Sequence, residues 1–306
     1  MRISWGTELN EPIIALIFDL DDTLSDDTTN LLLKEKLNMT ANEIEEFWNK
    51  KVKRRVQQGW DPPLAYIDLL LKNMDDKNLK ITNQELRDLG KKVKFYPGVA
   101  DLFSRLKVFI SSRKEFEDAH IQIEFYIISG GFEEIIRGSQ INNDMNDIFG
   151  CTFHEENDRL LPKSIVTFTE KTKFLYAINK GISGGELRRN PYSVNDVISS
   201  EERRIAFSNM IYLGDGPTDI PCFSAVQQRG GKTIGILKYK KTRASNHGNM
   251  LVDKNRAWAI ARGDRITLGP FQPNYNEDAD LYINLRMEVE RAGLEIYDKF
   301  KRRRGR

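Results

Sequence analysis

Six consecutive apolar residues, Ile13 to Phe18 (IIALIF), run straight into Asp19, Leu20, Asp21 and Asp22. An unbroken apolar run of this length is the pattern of a strand buried on both faces, and such strands belong to parallel sheets covered by helices. The acids that follow restrict the chain further. Carboxylates crowded at the end of a buried strand are costly if left unpaired in a dry place, so the fold must either compensate them or use them.

Downstream of Asp22 the pattern changes from strand to helix. Thr40 with Glu43, and Thr82 with Glu85, have the spacing of capping boxes, and Asp61-Pro62 reads as another helix start. In NEIEEFWNKKVKRRV the apolar positions Ile44, Phe47, Trp48 and Val52 make one helical face. Residues 25–95 therefore read as a compact helical insert. Strands and helices then alternate: YPGVADLFSRL as a turn and helix, IQIEFYIIS as a strand, FEEIIRG as a helix, TEKTKFLYAINKG as a helix, NMIYLGD as a strand, IPCFSAV as a helix and KTIGILK as a strand. This order predicts an α/β fold with a doubly wound parallel sheet and right-handed crossovers. Residues 181–207 read as a polar excursion, and YINLRMEVERAGLEIYDKF as an amphipathic helix before the basic end KRRRGR, which reads as a solvated, frayed tail.

The 306 residues suffice for one large α/β domain or a core with a smaller companion. Basic and acidic side chains nearly cancel, 47 against 45, which argues against a nucleic-acid or membrane partner. Cys151 and Cys222 are too few for a disulfide framework or metal cluster and read as reduced thiols. With no apolar run near membrane-spanning length, and no signal-like segment at the N-terminus, cytoplasm is the default expectation.

In a doubly wound sheet, ligands collect beyond the carboxyl ends of the strands. Asp19, Asp21 and Asp22 follow the first strand, Ser129, Gly130 and Gly131 the second, and Asp215 and Asp219 the YLGD strand. A cluster of acids with oxygen-only donors suits Mg²⁺, and a carboxylate-held Mg²⁺ commonly serves phosphoryl chemistry. Ser129 with its glycines offers a hydroxyl and approachable N–H groups to phosphate, and the TEKTK segment offers Lys171 or Lys173, of which Lys171 is favoured because Phe174, Leu175 and Ile178 then form the buried face.

DLDDT (Asp19–Thr23), FYIISGG with Ser129, a helix-start lysine and GDGPTD (Gly214–Asp219) stand in this order across residues 13–240. Together they resemble the four motifs of the haloacid dehalogenase superfamily, in its phosphatase branch, similar to phosphoserine phosphatase-like members with a helical cap inserted after the first motif. The resemblance implies a Rossmann-like core at 1–24 and 96–306, with the cap at 25–95. It implies Asp19 as nucleophile forming an aspartyl-phosphate, and Asp21 as general acid and then base. Asp19, the carbonyl of Asp21 and Asp215 would hold Mg²⁺, with Asp219 behind them. Ser129, Gly130 and Lys171 would hold phosphate, and Thr23 would orient the loop through its hydroxyl. Halide-displacing members lack the second aspartate, so Asp21 points to a phosphomonoesterase acting on a small phosphorylated metabolite. A phosphotransferase using the same intermediate, and a non-catalytic phospholigand-binding protein of the same fold, stay open at this level.

Trp60, Cys222 and the three histidines read as structural, Asp22 as a turn or surface residue, and Lys53, Arg54 and Arg55 as a solvated helix face.

Overall fold

The run Ile13–Phe18 forms β1, and none of its residues exposes more than 1% of its surface. The computed structural model describes residues 10–26, 28–157, 159–238, 240–241, 250–251 and 265–304. Among these residues β1 is the middle strand of a seven-stranded sheet. The sheet also holds β2 (Gln122–Phe132), β3 (Asp147–Glu156), β4 (Arg159–Ser164), β5 (Met210–Gly214) and β6 (Lys232–Ile236). A separate short ladder pairs β7 (Lys240–Lys241) with β8 (Met250–Leu251), and β9 (Leu268–Phe271) completes the main sheet in the order β4-β3-β2-β1-β5-β6-β9. Within the main sheet all neighbours pair parallel except β3 with β4.

Register matters most for the site. Phe18 stands opposite Ile127 of β2 and Leu213 of β5, so the three strand ends that lead into Asp19, Ser129 and Asp215 lie side by side. Successive side chains of β1 point to opposite faces. Ile13, Ala15 and Ile17 join one apolar cluster with α9 (Glu170–Lys180) and α11 (Ile220–Gln227). Ile14, Leu16 and Phe18 join the other, with α6 (Val99–Ser111), α7 (Lys114–Asp118) and the C-terminal helix α12 (Asp280–Arg304). Leu281, Leu285 and Val289 of α12 are fully covered there, which gives that helix its place as a cover of the second face. Its helical hydrogen bonding reaches Arg304, so Lys301–Arg304 form a last basic turn rather than a frayed tail. Cations in that turn complement the negative end of the helix dipole.

Between β1 and β2 lie α1 (Thr29–Glu35), α2 (Ala41–Glu46), a π-helical turn (Phe47–Val52), α3 (Lys53–Gln57), α4 (Pro62–Asp76) and α5 (Asn83–Gly90). Both capping boxes close, Thr40 with Glu43 and Thr82 with Glu85. Asp61 precedes the helix-starting Pro62 without making a side-chain cap bond; the proline's fixed φ suits the first turn without it. Leu33, Phe47, Tyr66 and Leu86 of these helices share one apolar cluster with Phe132, Ile135 and Phe153 of the sheet region. Where α5 meets α8 (Glu133–Arg137), backbone touches backbone: a Cβ on Gly138 would stand 1.9 Å from the carbonyl oxygen of Arg87, and one on Gly90 2.2 Å from that of Ile135.

Three strands depart from the sequence expectation. β3 carries a glycine and a polar end, β4 adds an antiparallel edge, and β9 contains Gly269-Pro270, residues that weaken a strand reading. The strand expected to end at Ser129 continues to Phe132 through a break in register. The excursion at 181–207 holds the short helix α10 (Gly184–Arg189) and is fastened to the core. Arg204 grips Glu124 of β2 with two bonds of 2.6 and 2.8 Å, and Lys180 bonds the carbonyls of Val194 and Asp196.

Candidate active site

Beyond Phe18 the backbone leaves the sheet in a tight turn. The Asp19 amide still bonds the Leu213 carbonyl at 2.9 Å, and the Leu20 carbonyl accepts from the amides of Thr23, Leu24 and Ser25. Asp22 takes a left-handed φ of 58° in that turn, where a short polar side chain is tolerated. Its carboxylate accepts from the Tyr96 hydroxyl, and it borders the cavity described below. Thr23 departs from its expected role: its buried hydroxyl has no hydrogen-bond partner among the described residues. The loop is held instead through the Thr23 carbonyl, which accepts from the Tyr275 hydroxyl at 3.0 Å.

Asp19 is 6% exposed, and its Oδ1 lies 2.9 Å from Lys171 Nζ. Lys171, near the start of α9, is itself 2% exposed and lies 2.8 Å from Asp219 Oδ1. Burial first, then the neighbouring Asp219, push the Asp19 carboxyl up to about 6 against the pull of Lys171. Burial opposes the charge on Lys171, but Asp19 and Asp219 outweigh it and hold the ammonium well above its ordinary range. Lys173, the alternative lysine, points elsewhere: it pairs with Glu170 and sits 4.8 Å from the Phe174 ring centroid.

Asp219 is fully buried and heavily committed. Besides Lys171 it accepts from the Tyr212 hydroxyl at 2.7 Å, and its Oδ2 accepts from the amides of Asp215 and Gly216 at 3.1 and 3.2 Å. These bonds orient Lys171 and shape the loop that carries Asp215. Gly214 makes the approach possible, because a Cβ there would stand 2.5 Å from Asp219 Cγ. Asp19, Asp215 and Asp219 bring carboxylate oxygens within 4.8 Å of one another. Such an oxygen-only donor set, partly neutralised by one ammonium, fits a hard divalent cation.

Ser129 is buried and its Oγ accepts from the Gly131 amide at 2.9 Å, while Gly130 opens onto the same cavity. Asp21 is held by a residue that no sequence motif marked. The Thr28 amide donates to its Oδ1 at 2.6 Å and the Thr28 hydroxyl bonds its Oδ2 at 3.0 Å. Gly131 fits against this pair, since a Cβ there would stand 3.2 Å from both Ser129 Oγ and Thr28 Oγ1. The sequence reading gave no role to Thr28 or Tyr212, and Gly214 entered it only as the first residue of GDGPTD. The Thr28 and Tyr212 partners lie on other segments or across a turn, where no local pattern marks them.

Asp19, Asp21, Asp22, Ser129, Gly130, Lys171 and Asp215 line a cavity of about 410 Å³, with Asp19, Ser129, Lys171 and Asp215 on its core side. From the helical segment come Trp48, Pro62, Pro63 and Tyr66. Trp60 is elsewhere, 4.4 Å beneath the Arg55 guanidinium, which pairs with Asp68 at 2.5 Å. Lys53 and Arg54 are exposed. Among the described residues, no helix is long and apolar enough to cross a membrane.

Residues 16–150 match the family model described as haloacid dehalogenase-like hydrolase. An uncharacterized protein of Borreliella burgdorferi is 28% identical over 297 residues, covering 89% of this chain and 95% of its own. Among solved structures, a HAD family hydrolase from Salmonella enterica subsp. enterica serovar Typhi is 17% identical, with a TM-score of 0.45 over 74% of this chain. That match spans 63% of the Salmonella chain, less than two thirds of its length. A phosphoserine phosphatase solved as a phospho-aspartyl intermediate analogue is 13% identical, with a TM-score of 0.43 over 75% of this chain and 87% of its own.

Proposed function

From the match of residues 16–150 to the haloacid dehalogenase-like hydrolase model, we propose that the chain is a phosphomonoesterase working through an aspartyl-phosphate on Asp19. One arrangement carries the reading: a buried lysine bridges Asp19 and Asp219 at the strand ends, and Asp21 is held at the rim of the same cavity. An acid fixed two residues beyond the nucleophile serves a leaving group that needs a proton, as an alcohol does.

In the first half of the reaction an Asp19 carboxylate oxygen attacks phosphorus, and Asp21 gives its proton to the departing alcohol oxygen. In the second half Asp21, now a carboxylate, takes a proton from water. That water attacks the aspartyl-phosphate, releasing inorganic phosphate and restoring Asp19. Thr28 suits both states, because its hydroxyl can donate to the carboxylate or accept from the carboxylic acid. Lys171, the Ser129 hydroxyl and the amides near Gly130 would hold phosphoryl oxygens, and Asp219 would keep Lys171 in place. Asp19, the Asp21 carbonyl and Asp215 would hold Mg²⁺, which supplies positive charge against the carboxylates and the phosphate. The helices at 25–95 would act as the cap, excluding bulk water from the cavity.

Hydrolysis of 4-nitrophenyl phosphate by wild type and Asp19→Asn, each in Mg²⁺ and in chelator, tests the reading. Turnover that needs both Asp19 and Mg²⁺ supports it; turnover that survives Asp19→Asn refutes the nucleophile. Adding an alcohol acceptor separates hydrolysis from transfer by the appearance of a new phosphate ester.

A further inference from the structure

The wall opposite the carboxylates is built from ring surfaces. Trp48 and Tyr66 lie stacked, with centroids 5.0 Å apart and planes inclined by 10°. Their polar tips are turned into the protein: Trp48 Nε1 donates to Asn30 Oδ1 at 2.6 Å and the Tyr66 hydroxyl donates to the Thr29 carbonyl at 2.7 Å. Tyr66 is 4% exposed and is backed by Phe47 and Phe132, whereas Trp48 is only partly buried. The stack therefore offers Trp48 on a rigid aromatic backing. Pro62 and Pro63 extend the same apolar surface, and Val166 and Phe168 add to it from the core side.

Charge on the lining runs the other way. Among the described lining residues Lys171 is the one cation, and it is committed to Asp19 and Asp219. Asp22 and Asp26 also line the cavity, Asp26 paired with Lys238. An alcohol bearing its own carboxylate would meet these acids while the nearby cations are already paired, Lys171 with Asp19 and Asp219 and Lys238 with Asp26. The volume, about 410 Å³, falls in the usual range of roughly 300–1,000 Å³ for pockets that take ligands well above the size of phosphate.

Building on the phosphatase reading, we propose that the substrate is a phosphomonoester whose alcohol carries a flat, uncharged aromatic or heteroaromatic ring, as a nucleoside does, and that Trp48 is the surface on which this ring stacks. Stacking tolerates many rings because each has a π face, so the wall would select a class rather than a single base.

The test compares kcat/KM in Mg²⁺ for adenosine and uridine 5′-monophosphates, phosphoserine and acetyl phosphate, using wild type, Trp48→Ala and Trp48→Phe. The nucleotides are expected to exceed phosphoserine by about tenfold or more in wild type. Trp48→Ala should lower only the nucleotide values, by about tenfold, the scale of one stacked base. Trp48→Phe, which keeps a ring, should retain most of the preference. Phosphoserine equal to or better than both nucleotides, or a Trp48→Ala loss shared equally by acetyl phosphate, overturns the ring proposal while leaving the phosphatase reading intact. If wild type turns over none of the four phosphates, the phosphatase reading fails instead. Calorimetric titration with the nucleotides then decides the ring proposal: binding weakened about tenfold in Trp48→Ala supports it, and no binding overturns it.

Discussion

Replacing Thr28 by valine tests whether Asp21 is positioned for proton transfer. Valine keeps the shape of threonine, and position 28 is 2% exposed, so packing is nearly conserved. The substitution deletes the 3.0 Å hydroxyl bond to Asp21 Oδ2 but leaves the 2.6 Å amide bond to Oδ1. A hydrogen bond to a charged group contributes about 1.5–3 kcal/mol, which sets the loss at roughly 10- to 150-fold if the bond is fully used in the transition state. The kcat/KM value covers steps up to formation of the phospho-enzyme and therefore responds to protonation of the leaving group. For an alkyl phosphate, whose alkoxide departs poorly, kcat/KM should fall by about 10- to 100-fold. For acetyl phosphate, whose leaving group needs no proton, it should change by less than about threefold. Where water attack limits turnover, kcat should fall with both substrates, because Asp21 is then the base. Thr28→Ser, which restores the hydroxyl, should recover most of the loss. Equal losses in kcat/KM for both substrates, at unchanged thermal stability, would refute a role for Thr28 acting through Asp21.

Lys171→Met leaves Asp19 and Asp219 buried without their shared counter-charge, and urea unfolding should show a loss of about 3–5 kcal/mol, whereas Lys173→Met should leave stability within about 0.5 kcal/mol. Gly138→Ala drives a methyl group into the Arg87 carbonyl, so α5 must shift from α8; a stability loss of at least about 1–3 kcal/mol, with lowered turnover, should follow. In chelator, the raised Asp19 carboxyl keeps its proton in the folded chain until about pH 6. The folded state then binds more protons than the unfolded one, so this group's contribution to stability falls as pH rises from about 4 to about 6, and Asp19→Asn should flatten that limb of a melting-temperature profile. For the same reason the Mg²⁺-induced rise in melting temperature should shrink between pH 7.5 and pH 5, and binding near pH 6 should release protons to buffer in calorimetry.

Local pattern was enough for the elements whose burial or capping is written in consecutive residues. The six apolar residues of β1 name a doubly covered strand because no surface strand tolerates such a run, and both capping boxes close because their partners are three residues apart. The acids at the strand ends were legible for the same reason: an apolar run followed by charge marks a sheet's rim. What sequence could not supply was contact between distant segments. The choice of Lys171 over Lys173 was legible in the apolar face of α9, but the carboxylates it reaches were not. Packing of Phe174 and Leu175 into the core turns Lys171 inward and leaves Lys173 beside Glu170. Thr28 meets Asp21 only because the turn through Asp22 brings the start of α1 back over the strand end. The same holds for the glycine contact between α5 and α8, for the cover that α12 lays over the second face, and for Trp48, which by period alone was one apolar position on a helix. Helical spacing fixes which side chains share a face, but what that face meets is decided by tertiary packing, and here it places Trp48 on the wall of the cavity that holds the acids.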